Sequence, residues 1–559
     1  MITKYIFGIA AVASGFATVC AQDMSTEITV DRTIVPRKQE ASPLPSVVPS
    51  LLPSEGFRSK LGLTEYSAPV SFIPLASPSM APSYTGLAGA YPYKGYAWLG
   101  YFPAYNLGVG AGYSIISNSS THLGVAAQFN GFSYHSMSVA GDKGTAKNNT
   151  IGMQADFSHT FSKAAGLSAS VAYTHGSMGL PELMSIPESQ KLNDFKATLG
   201  LDGRFGSSAR YAIEAYASNF SLTDGCVWSK PETSVAAPSE GLYGVGASLE
   251  AGKGVAVFKL GLGADFHHRS GSEWRDDRFD AVAHENSAIF SIDPSVGARV
   301  DALTVRLGAD IDISTGTDDK KFNVAPSLLV SWVPSASFSA YATVDGGKAF
   351  STLSRIRDYS PFALSVVSYD AVFTPVAGRA GFVAGPFHGA SVELYGRYAC
   401  TRNAPMMALA AAYNTPVFLP VGISGWGAGA RLAWNHSIVS LEASAQILAN
   451  GYSSAFIDVP DRAGLLVGAS LELRPFDKFT AGLGWELRAR RRYYSLSQGQ
   501  AAEVGMGNIS DLKFDARYEI SGNFDVWARV ENLLCRRTEL LPGLQTQGVH
   551  GLVGVMLRF

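Results

Sequence analysis

Residues 303–313 read Leu-Thr-Val-Arg-Leu-Gly-Ala-Asp-Ile-Asp-Ile. Apolar side chains occupy the odd positions of this stretch, and polar residues or glycine occupy the even ones. Because successive side chains of a β-strand point to opposite faces, the alternation predicts a strand with one apolar and one polar face. The stretch is 11 residues long, and a tilted strand needs about 9–11 residues to cross a bilayer.

The same alternation recurs from about Tyr93 to the end of the chain, clearly at 256–267, 439–447 and 524–531. A soluble β-sandwich also alternates in this way. However, the segments are long, and no convincing amphipathic helix interrupts them over roughly 465 residues. Short connections also alternate with long polar ones, as in outer-membrane barrels with tight periplasmic turns and longer outer loops. The sequence therefore predicts a transmembrane antiparallel β-barrel.

Assigning a direction to each strand gives about 22 strands, and 20 or 24 remain alternatives. The predicted short turns are at 117–120, 162–165, 206–209, 252–254, 301–302, 334–336, 385–389, 435–436, 475–477 and 521–522. The predicted outer loops are at 138–147, 177–190, 224–239, 268–288, 347–373, 401–420, 450–462, 491–509 and 535–546. Residues 406–413 resemble a strand but would break the parity, so they are assigned to an outer loop.

Composition excludes other classes of membrane and nucleic-acid protein. Hydrophobic residues make up 47% of the chain, yet the mean hydropathy is only +0.10. A helical membrane protein contains apolar runs of about 18 residues or more, and the chain after its leader contains none. The net charge of −2 gives no reason to expect nucleic acid as a partner.

Three regions follow from the pattern. Residues 1–21 have the basic, apolar and small-residue order of a signal peptide, with lipid modification of Cys20 as the alternative. Residues 22–93 are rich in proline, which favours an extended periplasmic arm over a packed domain. Residues 94–559 form the predicted barrel.

The chain ends in a strand that alternates up to its last residue, Phe559. A C-terminal aromatic residue on such a strand resembles the signal that the bacterial barrel-assembly machinery reads. The expected location is therefore the outer membrane of a Gram-negative bacterium. The expected partners are outer-membrane lipid and the barrel-assembly machinery.

The final residues resemble the TonB-dependent receptor family. The resemblance consists of Val530-Glu531-Asn532-Leu533-Leu534, then Pro542-Gly543, then the strand from Gly551 to Phe559. It implies a barrel of about 22 strands that transports a solute. Family members also carry a plug of well over a hundred residues, whereas 72 residues separate the predicted cleavage site from the barrel. The resemblance is therefore to a plugless form of the family barrel.

A short run in the arm resembles the family's TonB-contacting box, which pairs with its partner as an added strand. Its residues are Thr26, Glu27, Ile28, Thr29 and Val30. The arm as a whole is therefore a candidate for binding a periplasmic or TonB-type partner.

The sequence contains no local motif for catalysis or cofactor binding. The sequence contains no Walker phosphate loop, no His-Glu-x-x-His and no Gly-x-Ser-x-Gly. We assign no catalytic, cofactor or metal residues and predict that the protein is not an enzyme. A lipid hydrolase using Ser and His from separate strands remains an alternative. The polar cluster at 267–285 is interpreted as a solvated outer loop in preference to a metal or ligand site.

Four arginines are predicted at the outer mouth: Arg488, Arg490, Arg491 and Arg492. They are candidates for bidentate contact with an anionic glycan or a lipopolysaccharide phosphate. An interfacial belt of Arg and Tyr is the alternative. Inward-facing positions elsewhere carry both signs of charge, which indicates a polar lumen and argues against a pore selective for one kind of ion.

Transport of a solute across the outer membrane is the predicted function. An open lumen of about 22 strands would be a large hole, so something must block it. The candidates are the arm, inward-folded loops such as 347–373 and 401–420, or a partner. The alternative function is a structural or assembly barrel that anchors a cell-envelope complex through the arm.

Overall fold

The computed structural model describes residues 93–559 except 104, 138–142, 163–164, 180–188, 207, 224–236, 276–277, 318–319, 355–370, 411–414, 450–462, 498–499 and 542–543. The predicted signal peptide, the Pro-rich arm and the box-like run at 26–30 lie outside the described residues. Within the described part of the chain, no helix is long and apolar enough to cross a membrane.

The wall is a closed ring of 22 antiparallel strands. They are β1 (Gly95–Phe102), β2 (Asn106–Ser117), β3 (Thr121–Met137), β4 (Lys143–Ser162), β5 (Ala165–Gly179), β6 (Ser189–Phe205), β7 (Ala209–Leu222), β8 (Ser239–Lys253), β9 (Ala256–Arg275), β10 (Arg278–Val300), β11 (Leu303–Thr315), β12 (Phe322–Ser335), β13 (Phe338–Phe350), β14 (Ala371–Phe387), β15 (Ala390–Ala410), β16 (Thr415–Asn435), β17 (Val439–Leu448), β18 (Leu465–Phe476), β19 (Phe479–Ala489), β22 (Ile509–Ser521), β23 (Phe524–Glu531) and β26 (His550–Arg558).

Four short strands form two hairpins outside the ring. They are β20 (Arg491–Ser497) with β21 (Gln500–Met506), and β24 (Glu539–Leu541) with β25 (Leu544–Gln545). The first hairpin also pairs with the outer end of β15, in parallel, where Ala408 lies opposite Tyr494.

The ring closes between its first and last strands. β26 pairs with β23 on one side and with β1 on the other, and Val555 lies opposite Leu99. In lipid every backbone N–H and C=O must be paired within the protein, and closure removes the open edges that would leave them unpaired. The predicted fold and its strand number are confirmed.

The two faces of the wall differ in polarity as predicted. Along β11, Leu307 and Ile313 point outward and are 55% and 45% exposed, whereas Asp310 and Asp312 are buried inside. Along β26, Val553 and Leu557 are exposed outward and Met556 is buried inside. An apolar outer band around a polar interior is the arrangement of an outer-membrane barrel. The barrel is therefore an outer-membrane protein.

The predicted short turns all overlap turns between wall strands. At two of them, Gly206 and Gly254 have φ of +64° with open space around the α-carbon, a conformation that favours glycine.

Several segments predicted as outer loops are instead strands. Residues 268–275 and 278–288 continue β9 and β10, with Phe279 opposite Trp274. Residues 401–410 and 415–420 continue β15 and β16, with Ala410 opposite Thr415, so the loop assignment for 406–410 was wrong. The prediction took strand length from membrane thickness, but a hydrogen-bonded hairpin continues into water wherever its backbone groups stay paired.

Candidate functional site in the barrel lumen

The inner wall carries paired charges of both signs. Arg517 lies 2.6 Å from Asp525, Arg431 lies 3.2 Å from Glu442, and Arg379 lies 2.5 Å from Glu393. Glu393, Glu442, Arg517 and Asp525 are polar positions that the alternation predicts to face inward. The polar lumen expected from the alternation is therefore present, and its charges form ion pairs across neighbouring strands.

A cavity of about 410 Å³ lies in the inner wall between β14 and β22. Its floor consists of the short side chains Ser444 and Ser470 with Gly468 and Gly484. Charged groups surround the floor: Arg379, Glu393, Arg431, Glu442, Glu486 and Lys513. Lys513 lies 3.7 Å from Glu486 and 3.6 Å from Asp511. We call this cavity the charged pit.

The chain leaving β13 runs along the inner wall to β8 and β6, which lie five and seven strands away around the ring. The backbone N–H groups of Leu353 and Ser354 donate to the carboxylate of Glu240 on β8, at 2.8 and 3.0 Å. The Ser354 hydroxyl donates to Asp194 on β6 at 2.9 Å. Leu353 is 2% exposed. Because β13 is five strands from β8 along the ring, residues 351–354 lie within the lumen near its outer end; we call them the strap.

Two neighbours complete the strap's anchorage. His267 Nε2 lies 3.4 Å from Glu240, and its ring stacks on Phe350 with centroids 4.9 Å apart. His267 belongs to the polar cluster that the sequence assigned to a solvated outer loop. That assignment was wrong for His267, because β9 continues through it and turns its ring into the lumen.

A buried lysine at the end of β13 holds an outer loop. Lys348 is 3% exposed, and its ammonium donates to Ser314 Oγ at 2.9 Å and to the Lys320 carbonyl at 3.1 Å. Its backbone N–H donates to Asp312 at 2.7 Å. These contacts fix the connection between β11 and β12 against β13. A buried charge requires such a set of acceptors.

The four predicted arginines have different environments. Arg488 and Arg491 are 3% and 1% exposed. Arg491 donates to the carbonyls of Gly507, Glu539 and Leu540 at 2.9, 2.6 and 2.8 Å, respectively. Arg492 lies 3.3 Å from Glu503, and Arg490 is exposed. Anion contact by this group stays a prediction, and Arg490 has the most accessible side chain for it.

Replacing Arg491 should loosen the two outer hairpins. Arg491→Met keeps the apolar stem and removes all three hydrogen bonds from the guanidinium, each of which is worth about 1.5–3 kcal/mol when a charged group donates. We expect at least tenfold faster amide hydrogen exchange at 539–541, with little change in the wall strands. Arg490→Met is the matched control, since Arg490 is the adjacent residue and its side chain is exposed. Equal exchange in the two variants would contradict a pinning role for Arg491.

The structure shows what Asn532 does in the stretch 530–534 that resembles the TonB-dependent receptor family. Its φ is +51°, and its side-chain amide donates to the carbonyls of Arg536 and Gln547 at 2.8 and 2.7 Å. Its backbone N–H donates to Asp511 at 2.8 Å. Asparagine tolerates the left-handed conformation better than other non-glycine residues. The motif therefore holds the last outer loop to the top of the wall.

Near these hairpins, burial and the neighbouring charge of Glu539 raise the pKa of Tyr493, so its phenol stays neutral at physiological pH. Among the described residues, no three His, Cys, Asp or Glu side chains come together in a way that would hold a metal ion.

The sequence did not reveal the strap anchors Glu240 and Asp194 or the buried Lys348. Each lies on a different strand, and no local motif joins them. Glu240 occupies an inward position of β8, and that was the available signal, whereas Lys348 lies in a segment that the sequence assigned to an outer loop and that instead continues β13. Charged residues at inward positions occur on many strands of a polar lumen. The alternation therefore does not distinguish these residues from the others.

The fold and the lumen define the class: a 22-stranded outer-membrane barrel with its own strap held on the inner wall near the outer end. No protein-family model matches the sequence, and no curated protein matches it. Solved structures do match. The FrpB iron transporter from Neisseria meningitidis is 11% identical with a TM-score of 0.64, and the match covers 84% of this chain and 82% of that chain.

Two further structures are similar. The ferripyoverdine receptor of the outer membrane of Pseudomonas aeruginosa is 12% identical with a TM-score of 0.61, covering 84% of this chain and 72% of that chain. The siderophore receptor PirA from Acinetobacter baumannii is 8% identical with a TM-score of 0.59, covering 83% and 80%. The resemblance to TonB-dependent receptor barrels is therefore confirmed at the level of the fold.

Proposed function

We propose that this protein is an outer-membrane transport barrel without a full plug domain, in which the strap and the N-terminal arm restrict a solute pathway. The charged pit supports the proposal most strongly. A barrel that served only as an anchor needs no cavity of about 410 Å³ ringed by six charged groups on its inner wall. The similar structures are named as an iron transporter and as siderophore receptors, which agrees with transport.

The strap supports a restricted pathway. It occupies the lumen near the outer end and is held by hydrogen bonds from two backbone N–H groups and one hydroxyl. Barrels of 22 strands are normally plugged because the lumen is otherwise wide. We assign the remaining restriction to the arm, residues 22–93.

Single-channel conductance in planar bilayers tests the proposal. We expect the full mature chain to conduct little and a variant lacking residues 22–93 to conduct several-fold more. Heat-modifiable electrophoretic mobility verifies that both barrels are folded. If neither protein conducts, the transport proposal fails, and anchoring of an envelope complex by the arm becomes the better explanation. A pull-down with residues 22–93 that recovers an envelope protein would then support anchoring.

Two site proposals accompany this function. The run at 26–30 is proposed to contact a TonB-type partner by strand addition. Arg490 and its neighbours at the outer mouth are proposed to contact an anionic glycan or a lipid phosphate.

A further inference from the structure

We infer that the charged pit binds a small zwitterion, such as a short unblocked peptide, through its ammonium and carboxylate ends. The inference rests on the proposed transport function and names the class of solute. It is drawn from the charge balance of the pit, from the open space at Gly484 and from the exposure of the Arg431–Glu442 ion pair.

The floor of the pit is open in a way that most of the inner wall is not. Elsewhere, side chains lie over the inward glycines: a Cβ on Gly110 would meet Trp98 at 2.3 Å, and one on Gly429 would meet Tyr395 at 2.4 Å. On Gly484, by contrast, the nearest atom to a Cβ would be the Lys513 Cβ, 3.9 Å away. The protein's own side chains therefore leave this space unfilled, and its volume is within the range of small-molecule sites, about 300–1,000 Å³.

The charges around the pit are balanced. Arg379, Arg431 and Lys513 face Glu393, Glu442 and Glu486. A ligand of one charge would be attracted by three of these groups and repelled by the other three. A zwitterion satisfies both sets when its ends are separated, because each end meets an opposite charge.

The Arg431–Glu442 ion pair at the edge of the pit is able to open and bind a ligand instead. Arg431 and Glu442 are 42% and 52% exposed in their ion pair. Such exposed pairs contribute about 0–1 kcal/mol, so opening one costs little. The planar guanidinium of Arg431 is suited to bidentate contact with a ligand carboxylate. Across the floor, Lys513 lies between Glu486 and Asp511, so a ligand ammonium can pair with Glu486 while Lys513 keeps Asp511 as its partner.

The test is isothermal titration calorimetry on the full mature chain in detergent, with trialanine as the probe. N-acetyl-trialanine amide, which carries neither charge, is the comparison ligand. We expect saturable binding of trialanine, and at least tenfold weaker binding of the blocked peptide.

Gly484→Leu should abolish this binding by filling the pit. Gly505→Leu is the matched control, because a Cβ there meets nothing within 4 Å and the residue lies on the outer hairpin, away from the pit. Arg431→Gln is a second variant that leaves the floor unchanged and should weaken binding about tenfold or more, since a hydrogen bond to a charged group is worth about 1.5–3 kcal/mol.

Binding of both peptides with equal affinity, or of neither, would overturn the inference. Wild-type affinity in Gly484→Leu would also overturn it. Because this measurement needs no membrane, its failure is distinct from failure of transport: a conducting barrel that ignores trialanine rejects the ligand class alone.

Discussion

Deletion of Phe559 is expected to reduce the amount of folded barrel in the outer membrane at least tenfold. The Phe559 carbonyl accepts hydrogen bonds from the N–H groups of Lys94 and Gly95 at 2.8 and 2.7 Å, and its N–H donates to the Gly95 carbonyl at 3.0 Å. Its ring stacks on Tyr113 with centroids 6.4 Å apart and lies over Gly95, where a Cβ would come within 2.6 Å of it. The last residue therefore joins the two ends of the ring. Each backbone hydrogen bond lost there lowers the free energy of unfolding by about 0.5–1.5 kcal/mol.

Two substitutions separate the contributions of the backbone and the ring. Phe559→Ala keeps the three backbone hydrogen bonds and removes the stacking, whereas Phe559→Tyr keeps both and serves as the control. Refolding into lipid vesicles without assembly factors measures stability alone. A large defect in cells with normal refolding in vesicles would support the predicted signal for the assembly machinery. Normal assembly of the deletion variant in cells would reject both roles of Phe559.

Replacement of Glu240 by alanine should release the strap. The change removes the acceptor of two buried backbone N–H groups and the partner of His267. A buried donor that loses its partner costs about 1–3 kcal/mol. We expect amide exchange at Leu353 and Ser354 to accelerate at least tenfold. In the variant that also lacks residues 22–93, we expect single-channel conductance to rise several-fold.

Glu250→Ala is the matched control for this change. Glu250 lies on the same strand and inner face, and it pairs with Arg306 at 3.9 Å, away from the strap. The Glu250→Ala substitution removes the same charge from the lumen but affects no contact of residues 351–354. An equal rise in conductance in the two variants would show that charge, and not release of the strap, controls the pathway. Unchanged exchange at 351–354 in Glu240→Ala would contradict the anchorage itself.

Period-two alternation was sufficient to predict the wall. In β11 the apolar side chains face outward and the polar ones inward, as the sequence predicts, because successive side chains of a strand point to opposite faces. In β26 the outward row is apolar as predicted, but Leu552 and Met556 make the inward row partly apolar as well. The parity of short and long connections led to 22 strands for the same local reason. The residues at which the wall strands end on the outer side were not predictable. Hairpins such as β9–β10 extend beyond the membrane without any change in the sequence pattern.

The lumen shows what sequence order alone determined and what it did not. The sequence determined that Glu442 and Glu486 face inward, since each occupies a polar position of an alternating strand. Only the closed ring decided that Glu240 meets Leu353, 113 positions away, and that Gly484 lies uncovered between opposite charges. The physical reason is that alternation is a property of one strand, whereas contacts across a lumen depend on the curvature and register of all 22.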